Sequence, residues 1–247
     1  MQLGPDLHLV GSGDGGFGLT DPFDCHVYLV DGGAEAALVD AGIGSAADAI
    51  LANVSAAGVH VDRLRTLLLT HAHPDHAGGA ALLRERVPHL SVAASPTTAA
   101  LVRTADEDAI GVDVGKRAEF YPADYGFRAC EVDVELADGE PVRVGAAELS
   151  VVETPGHADG HLAFLAELSG GRALFAGDLV FAGGLVSLAN RPDCRIPDYA
   201  ESVAKLAGAG IELFLPGHHG ISLRDGQRHV DAAHRLFSAG FVPRSVA

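Results

Sequence analysis

Short apolar runs alternate with longer amphipathic ones along this chain. HVYLV (26–30) and AALVD (36–40) flank Asp-Gly-Gly, and LAFLAEL (162–168) and RALFAGD (172–178) flank Ser-Gly-Gly, so each pair predicts a β-hairpin. Helical patterns fill the intervals. SAADAILANVSAAG (45–58) carries a serine cap and a closing glycine, while DHAGGAALLRERV, PDYAESVAKLAGAG and GQRHVDAAHRLF repeat apolar residues every three or four positions. The order is mixed β and α throughout. No low-complexity tract, long charged block or Ser/Pro linker divides residues 1–247, which predicts a single domain. Thr104–Cys130 is the least regular stretch, rich in turn residues and tyrosines, and reads either as a substrate-facing insertion or as an ordinary surface loop.

Polar residues fall in a telling place relative to the strands. Asp40 ends AALVD, His71 follows RTLLLT, Thr154, Gly156 and His157 follow ELSVVE, Asp178 ends RALFAGD, and His218 follows IELFLPG. Ligands bind at the carboxyl edge of strands in helix-covered sheets, so these residues can converge in space although they lie far apart in the chain.

Composition narrows the chemistry. Hydrophobic residues make up 48% of the 247 positions, enough for a substantial core. A formal net charge of −16 opposes contact with phosphate backbones, so nucleic acid is not the expected partner and a small-molecule substrate is. The amino terminus lacks a basic start followed by a long apolar stretch, and no run reaches the roughly 18 apolar residues of a membrane span, so the expected location is cytoplasmic, off the membrane. A homo-oligomer is compatible with all of this. Cys25, Cys130 and Cys194 are few, distant and without a CxxC pair, which predicts reduced thiols rather than disulfides or a thiolate zinc site.

The strongest chemical signal is LLLTHAHPDHAGG (67–79), with three histidines and an aspartate in six positions behind an apolar run. Neutral imidazole and carboxylate suit zinc and similar divalent ions. His71 and His73 are two apart on extended chain and can point the same way; Asp75 and His76 are offset at the start of the helix that runs through AGGAALLRER, with Pro74 fixing its entry. One loop can therefore serve two neighbouring ions.

With these motifs in view, the chain resembles the metallo-β-lactamase superfamily of metal-dependent hydrolases. LVDAG (38–42), THAHPDH (70–76), TPGH (154–157), AGD (176–178) and PGHH (216–219) occur in that family's order. The resemblance implies an α+β fold, a four-layer αβ/βα sandwich of two mixed sheets flanked by helices. It implies His71, His73 and His157 on a first metal, Asp75, His76 and His218 on a second, and Asp178 bridging them, with Asp40 in support. Two zinc ions per chain are the implied cofactors, with iron or manganese as alternatives. His161 competes with His157, and His219 adjoins His218, so both stay open at this point.

With two ions bound, a shared water would ionise near neutral pH and act as a metal-bound hydroxide, and Asp75 is a candidate to pass a proton to the leaving group. GHADGHLAF resembles the third motif of thioesterase-like and lactonase-like members. The short stretch after the last motif is not expected to carry the helical domain of the glutathione-thioester hydrolases, and the inserted domain and basic surface of the nucleases are not expected either. Hydrolysis of a small ester, thioester or lactone is the expected activity. The alternatives are a mononuclear iron oxidoreductase resembling the persulfide dioxygenases of this fold, and a non-catalytic protein that binds metal or a small molecule. Tyr121, Tyr125 and Tyr199 are candidate donors to a substrate carbonyl, and Arg191 and Arg195 candidate partners of a substrate carboxylate; each has an ordinary packing or surface reading beside it. His8, His26, His60, His89, His229 and His234 match no motif and read as surface or packing residues.

Overall fold

A computed structural model describes residues 1–247 except Asn190, Pro192 and Ala247. Among the described residues the first half builds β1 (Leu7–Gly11), β2 (Val27–Asp31), β3 (Ala36–Val39), α1 (Ala47–Ala56), β4 (Leu64–Leu68), α2 (Pro74–Ala77), α3 (Ala80–Arg86), β5 (Ser91–Ala94), α4 (Pro96–Thr104), α5 (Glu107–Ile110) and α6 (Val112–Arg117). The second half builds β6 (Val134–Glu135), β7 (Pro141–Val144), β8 (Ala147–Glu153), β9 (Leu162–Leu168), β10 (Gly171–Gly177), α7 (Ile196–Lys205), β11 (Leu213–Pro216) and α8 (Gln227–Ser238). One sheet runs β1-β2-β3-β4-β5-β6 and the other β11-β10-β9-β8-β7. Both are mixed: β3, β4, β5 and β6 run parallel, as do β10 and β11, and the remaining pairs are antiparallel. Both expected hairpins form, β2 with β3 and β9 with β10.

Strand burial explains the layering. β2, β3 and β11 are apolar on both faces because helices cover one side and the opposite sheet the other. Leu29, Leu38, Leu67 and Val92 face α1, α3 and α4 in one core. Tyr28, Leu68, Phe164, Phe175 and Leu215 fill the space between the sheets. Leu174, Phe214, Val203 and Val230 seal the second sheet under α7 and α8. The result is the helix–sheet–sheet–helix sandwich expected, and no helix among the described residues is long and apolar enough to cross a membrane.

Two local expectations are corrected. Ser45 does not cap α1: the cap position is Ala46, without a side-chain bond, and the Ser45 hydroxyl donates to Asp21 Oδ2 instead. The helix expected through AGGAALLRER is broken into α2 and α3 at Gly78-Gly79. The reason is contact with the turn after β3: Gly79 N–H donates to Gly42 O (2.8 Å), Ala41 N–H donates to His76 O (2.7 Å), and a Cβ on Gly79 would stand 2.0 Å from Ala41 O. This close approach presses the His76 turn against Asp40. Thr104–Cys130 is more ordered than its sequence suggests, holding α5 and α6 before an extended stretch.

Candidate metal centre

The carboxyl ends of β3, β4, β8, β10 and β11 meet at one rim of the sandwich and bring Asp40, His71, His157, Asp178 and His218 together across 178 positions of chain. His73, Asp75 and His76 join from the turn after β4 and from α2. Ligand atoms lie within 4.8 Å of one another in the groups His71/His73/His157, His71/His76/Asp178 and Asp75/His76/His218. All seven residues singled out from the sequence are therefore assembled.

Hydrogen bonds on the far side of each ring fix where its lone pair points. Thr70 Oγ1 donates to Asp40 and sits 3.0 Å from His71 Nδ1, so His71 Nδ1–H donates to it and Nε2 is left bare. His157 Nδ1–H donates to Ser187 O (3.2 Å), again baring Nε2. Those two nitrogens face His73 Nδ1 at 2.9 and 3.0 Å. Three buried imidazole nitrogens with at most one proton among them form a pocket of electron density. His76 Nδ1–H donates to Asp40 Oδ2 (2.8 Å), which aims Nε2 at Asp178 Oδ1 (3.2 Å) and Asp75 Oδ2 (3.4 Å). His218 Nε2 donates to Asp75 Oδ2 (2.9 Å) and lies 3.8 Å from Asp178 Oδ1, while Asp178 Oδ2 lies 3.6 Å from His157 Nε2. Asp178 thus has one oxygen toward each group.

The electrostatics follow from burial. Desolvation, reinforced by neighbouring histidines, holds His71 well below the usual imidazole range; desolvation also lowers His73, there with Arg191 and His157 adding to it. Burial lowers His157 as well, against the pull of Asp178. Burial opposes the charge of His76 too, but Cys25 and the carboxylates of Asp178, Asp75 and Asp40 outweigh it and raise that pKa well above normal. Burial would raise Asp178, yet His76 and His218 hold it well below the carboxylate range. The neutral imidazoles of His71, His73 and His157 beside ionised carboxylates suit a borderline divalent cation.

Two further observations fit such an ion. His76 Nε2 and Asp178 Oδ1 are buried without a hydrogen-bond partner, their short separation lacking hydrogen-bond alignment. Orphaned buried polar atoms of this kind need an explanation, and a cation supplies one. Gly217 stands over the same two atoms, where a Cβ would lie 2.3 Å from Asp178 Oδ1 and 2.6 Å from His76 Cε1. Cys25 shares a buried group with Asp40 and His76, but burial pushes its thiol far up, so it is a neutral packing group.

The alternatives left open by the sequence separate here. His161 Nδ1–H donates to Thr154 Oγ1 (2.8 Å) and its Nε2 accepts from Asp178 N–H (3.1 Å), so His161 props the backbone of Asp178 and has no nitrogen free. His219 belongs to none of the converging groups; its ring packs on Phe181. Tyr199 is fully buried and donates to Asp178 O (2.7 Å), a brace beneath the site. Tyr121 reaches the centre, donating to Asp75 Oδ1 (2.9 Å). Tyr125 lies beside Gly78 with its hydroxyl unpartnered. Arg195 forms surface ion pairs with Asp159 and Asp198, whereas Arg191 lines the cavity.

Two residues that sequence reasoning passed over steady the last motif. His26 is buried between Ser12 Oγ (3.1 Å from Nδ1) and His219 O (2.9 Å from Nε2), and its backbone N–H donates to Gly217 O (2.7 Å). Tyr28, next on the same strand face, donates to Pro216 O (2.7 Å). Together they clamp the turn that carries His218. The alternation in HVYLV places both on one face but does not show what that face meets.

The centre floors a cavity of about 590 Å³ whose walls include Phe23, Val114, Phe120, Phe181 and Leu188.

Comparison with known proteins gives the same picture from another direction. The family model of the metallo-beta-lactamase superfamily matches residues 20–218. An atrochrysone carboxyl ACP thioesterase of Aspergillus fumigatus is 28% identical over 194 residues, covering 78% of this chain and 50% of that protein. A hydroxyacylglutathione hydrolase of Anaeromyxobacter dehalogenans is 34% identical over 197 residues, covering 79% and 61%. The chain thus spans half to three-fifths of those two relatives. Acyl-coenzyme A thioesterase MBLAC2 of Gallus gallus is 29% identical over 211 residues, covering 78% and 72%. Among solved structures, the subclass B3 metallo-beta-lactamase BJP-1 of Bradyrhizobium japonicum superposes with a TM-score of 0.73 at 21% identity, covering 97% of this chain and 91% of that one.

Proposed function

Since this chain belongs to the metallo-β-lactamase superfamily, we propose that it is a metal-dependent hydrolase of small esters, thioesters or lactones. The observation that carries this reading is the convergence of His71 Nε2, His73 Nδ1 and His157 Nε2 beside the orphaned His76 Nε2 and Asp178 Oδ1, with His73, His157 and Asp178 lining the floor of one cavity. His71, His73 and His157 would hold one divalent ion and Asp75, His76 and His218 a second, with Asp178 shared, and zinc suits this nitrogen–oxygen set. When bound, such ions lower the pKa of water toward neutrality and polarise a carbonyl.

The chain's own residues do the rest. Asp40 and Thr70 keep His71 and His76 in the tautomers that turn lone pairs inward. His161 and Tyr199 fix the backbone on either side of Asp178. Asp75 lines the cavity and is the carboxylate placed to take up a proton and return it to the departing oxygen or sulfur, with the Tyr121 hydroxyl on its Oδ1 as the adjoining proton donor. The apolar walls exclude bulk water from the reacting bond. Asp75→Asn should therefore lose turnover beyond what its metal content explains, and full turnover at full metal content would remove that role.

The test of the function is metal analysis of purified protein loaded separately with zinc and iron, followed by turnover of a thioester and lactone panel. Two zinc ions per chain with hydrolysis support the proposal. One iron per chain with oxygen consumption and no hydrolysis overturns it in favour of an oxidoreductase, and metal loading without any turnover overturns it in favour of a binding protein.

A further inference from the structure

We infer that the cavity above the metal centre selects substrates with an uncharged, apolar acyl group, a specificity contributed by α6 and the turn that follows it. The inference rests on the hydrolase reading above and adds to it what the substrate's acyl part must be.

Shape and lining come first. A cavity of about 590 Å³ has room for roughly twenty waters' worth of ligand, far more than a water nucleophile and a carbonyl need. Val114, Ala118 and Phe120 of α6 and the turn after it contribute one wall, and Phe23, Phe181 and Leu188 line the cavity from other segments. Val114 is 39% exposed and Phe120 59% exposed, although both border this cavity. Large apolar side chains left uncovered at the mouth of a concave site mark a surface that an apolar ligand completes.

The wall is held in place by specific contacts. Tyr121 is tied to Asp75 Oδ1 at 2.9 Å. Its ring lies against Gly115 of α6, where a Cβ would come within 2.1 Å of Tyr121 Cε2. From the opposite side Arg191 donates to Ile110 O, and its guanidinium fills the space where a Cβ on Gly111 would stand. The α5–α6 segment is thereby held at its junction and against the side of α6.

Charge decides the class of acyl group. Arg191 is the sole Lys or Arg among the described lining residues, and its guanidinium is already engaged by Ile110 O and by Asp193 at 3.4 Å. Beyond the centre itself the lining adds carboxylates, Asp24 and Glu119, and the chain as a whole carries −16. A carboxylate or phosphate at the far end of the acyl part would enter a low-dielectric space whose described lining away from the centre offers no unpaired side-chain cation, which is costly. A methylene entering the same space is favourable, raising kcat/KM up to about fourfold each until the cavity is filled.

The experiment compares zinc-loaded protein on a series of linear acyl thioesters sharing one small neutral thiol, together with the matched ω-carboxylated acyl groups. Activity should climb with chain length and then level off, and a hexanoyl thioester should exceed its adipoyl counterpart at least about tenfold. Ala118→Trp, on the exposed face of the wall, should move the plateau to shorter chains. Equal or better activity on the carboxylated series overturns the inference and returns Arg191 as a carboxylate anchor. A flat length profile, or a plateau unmoved by both Ala118→Trp and Val114→Trp, overturns it as well. Binding is read separately by calorimetric titration with hexanamide and adipic acid monoamide, which need no turnover. If no thioester is hydrolysed but hexanamide binds in preference to the monoamide, the hydrolase reading fails and the apolar pocket stands; the reverse preference sinks the pocket whatever the turnover.

Discussion

Replacing Asp40 by asparagine isolates one link between the scaffold and the metal centre. Asp40 has a φ of 64°, in the left-handed region that asparagine tolerates better than alanine, so Asp40→Asn keeps both backbone and shape. Its carboxylate accepts from Thr70 N–H (2.8 Å) and Thr70 Oγ1 (3.0 Å) through Oδ1, and from His76 Nδ1–H (2.8 Å) through Oδ2. An amide has only one oxygen, so either Thr70 N–H or His76 Nδ1–H must face an NH₂ group. A hydrogen bond to a buried charged group is worth about 1.5–3 kcal/mol. Loss of such an outer partner typically lowers metal affinity about 10–100-fold, equivalent to about 1.4–2.7 kcal/mol. The two magnitudes agree, and the loss should fall chiefly on the ion proposed at Asp75, His76 and His218. Competition between the metal-free protein and a chromophoric chelator for zinc resolves the two stepwise constants; the weaker site should drop by that factor while the other moves little. Asp40→Ala adds backbone strain of about 1–3 kcal/mol and should melt clearly below Asp40→Asn. Two unchanged stepwise constants in Asp40→Asn, or identical melting of the two variants, would refute the reasoning.

Other consequences are equally open to measurement. His26→Phe removes the bonds to Ser12 Oγ and His219 O, a loss of about 1–3 kcal/mol, and should speed hydrogen exchange across 216–220 and weaken second-ion binding; native-like exchange there would show that Tyr28 alone suffices. Chelation should lower the melting temperature, since a ligand at a thousand times its Kd adds about 4 kcal/mol per site to the folded state, and melting indifferent to chelator would contradict the ligand assignments. Gly217→Ala should abolish metal uptake with little change in the circular dichroism, given the 2.3 Å approach of its Cβ to Asp178 Oδ1; retained stoichiometry counts against the crowding argument. Burial pushes the Asp24 carboxyl from 3.8 up to about 6 against the hydrogen bonds it accepts, so the folded state keeps a proton that the unfolded chain has released. Stability from this group therefore falls as pH rises from about 4 to about 6, by about 3 kcal/mol, and Asp24→Asn should flatten that slope in denaturant titrations; parallel profiles for the two proteins would show that Asp24 is not responsible.

Much of this was legible in the chain because the informative patterns are local. HAHPDH places four polar groups on one turn, and each of the other motifs ends a strand whose own pattern is clear. Two hairpins were readable from their turn residues for the same reason. What escaped depends on contacts between distant segments. Nothing in DHAGGAALLRERV shows that Gly79 must pass under Ala41 O, so the helix read as continuous. Ser45 is a good cap by composition, but Asp21 from another segment takes its hydroxyl. His26 bonds across 193 positions and Tyr28 across 188, and their purpose becomes visible only when β2 of one sheet meets the turn after β11 of the other. Choosing between His157 and His161 needed coordinates too, since both follow the same strand and only the hydrogen bonds distinguish prop from candidate ligand.

The placement of these groups has a physical consequence for folding. His71, His73, Asp75 and His76 come from the edge of the first sheet, whereas His157, Asp178 and His218 come from the second. Each candidate ion would thus draw ligands from both sheets, and neither sheet alone offers a complete set. The apolar layer of Tyr28, Phe164, Phe175 and Leu215 has to close before the nitrogens reach their 2.9–3.0 Å separations. Closing it without a cation crowds neutral imidazoles, strands His76 Nε2 and Asp178 Oδ1 without partners, and leaves buried carboxylates to be neutralised by protonated His76 and His218. A divalent ion relieves those costs together and binds only the closed sandwich. Binding energy at the rim is therefore folding energy for the inter-sheet core, and a core substitution such as Phe164→Ala should weaken metal affinity from a position that touches no ligand.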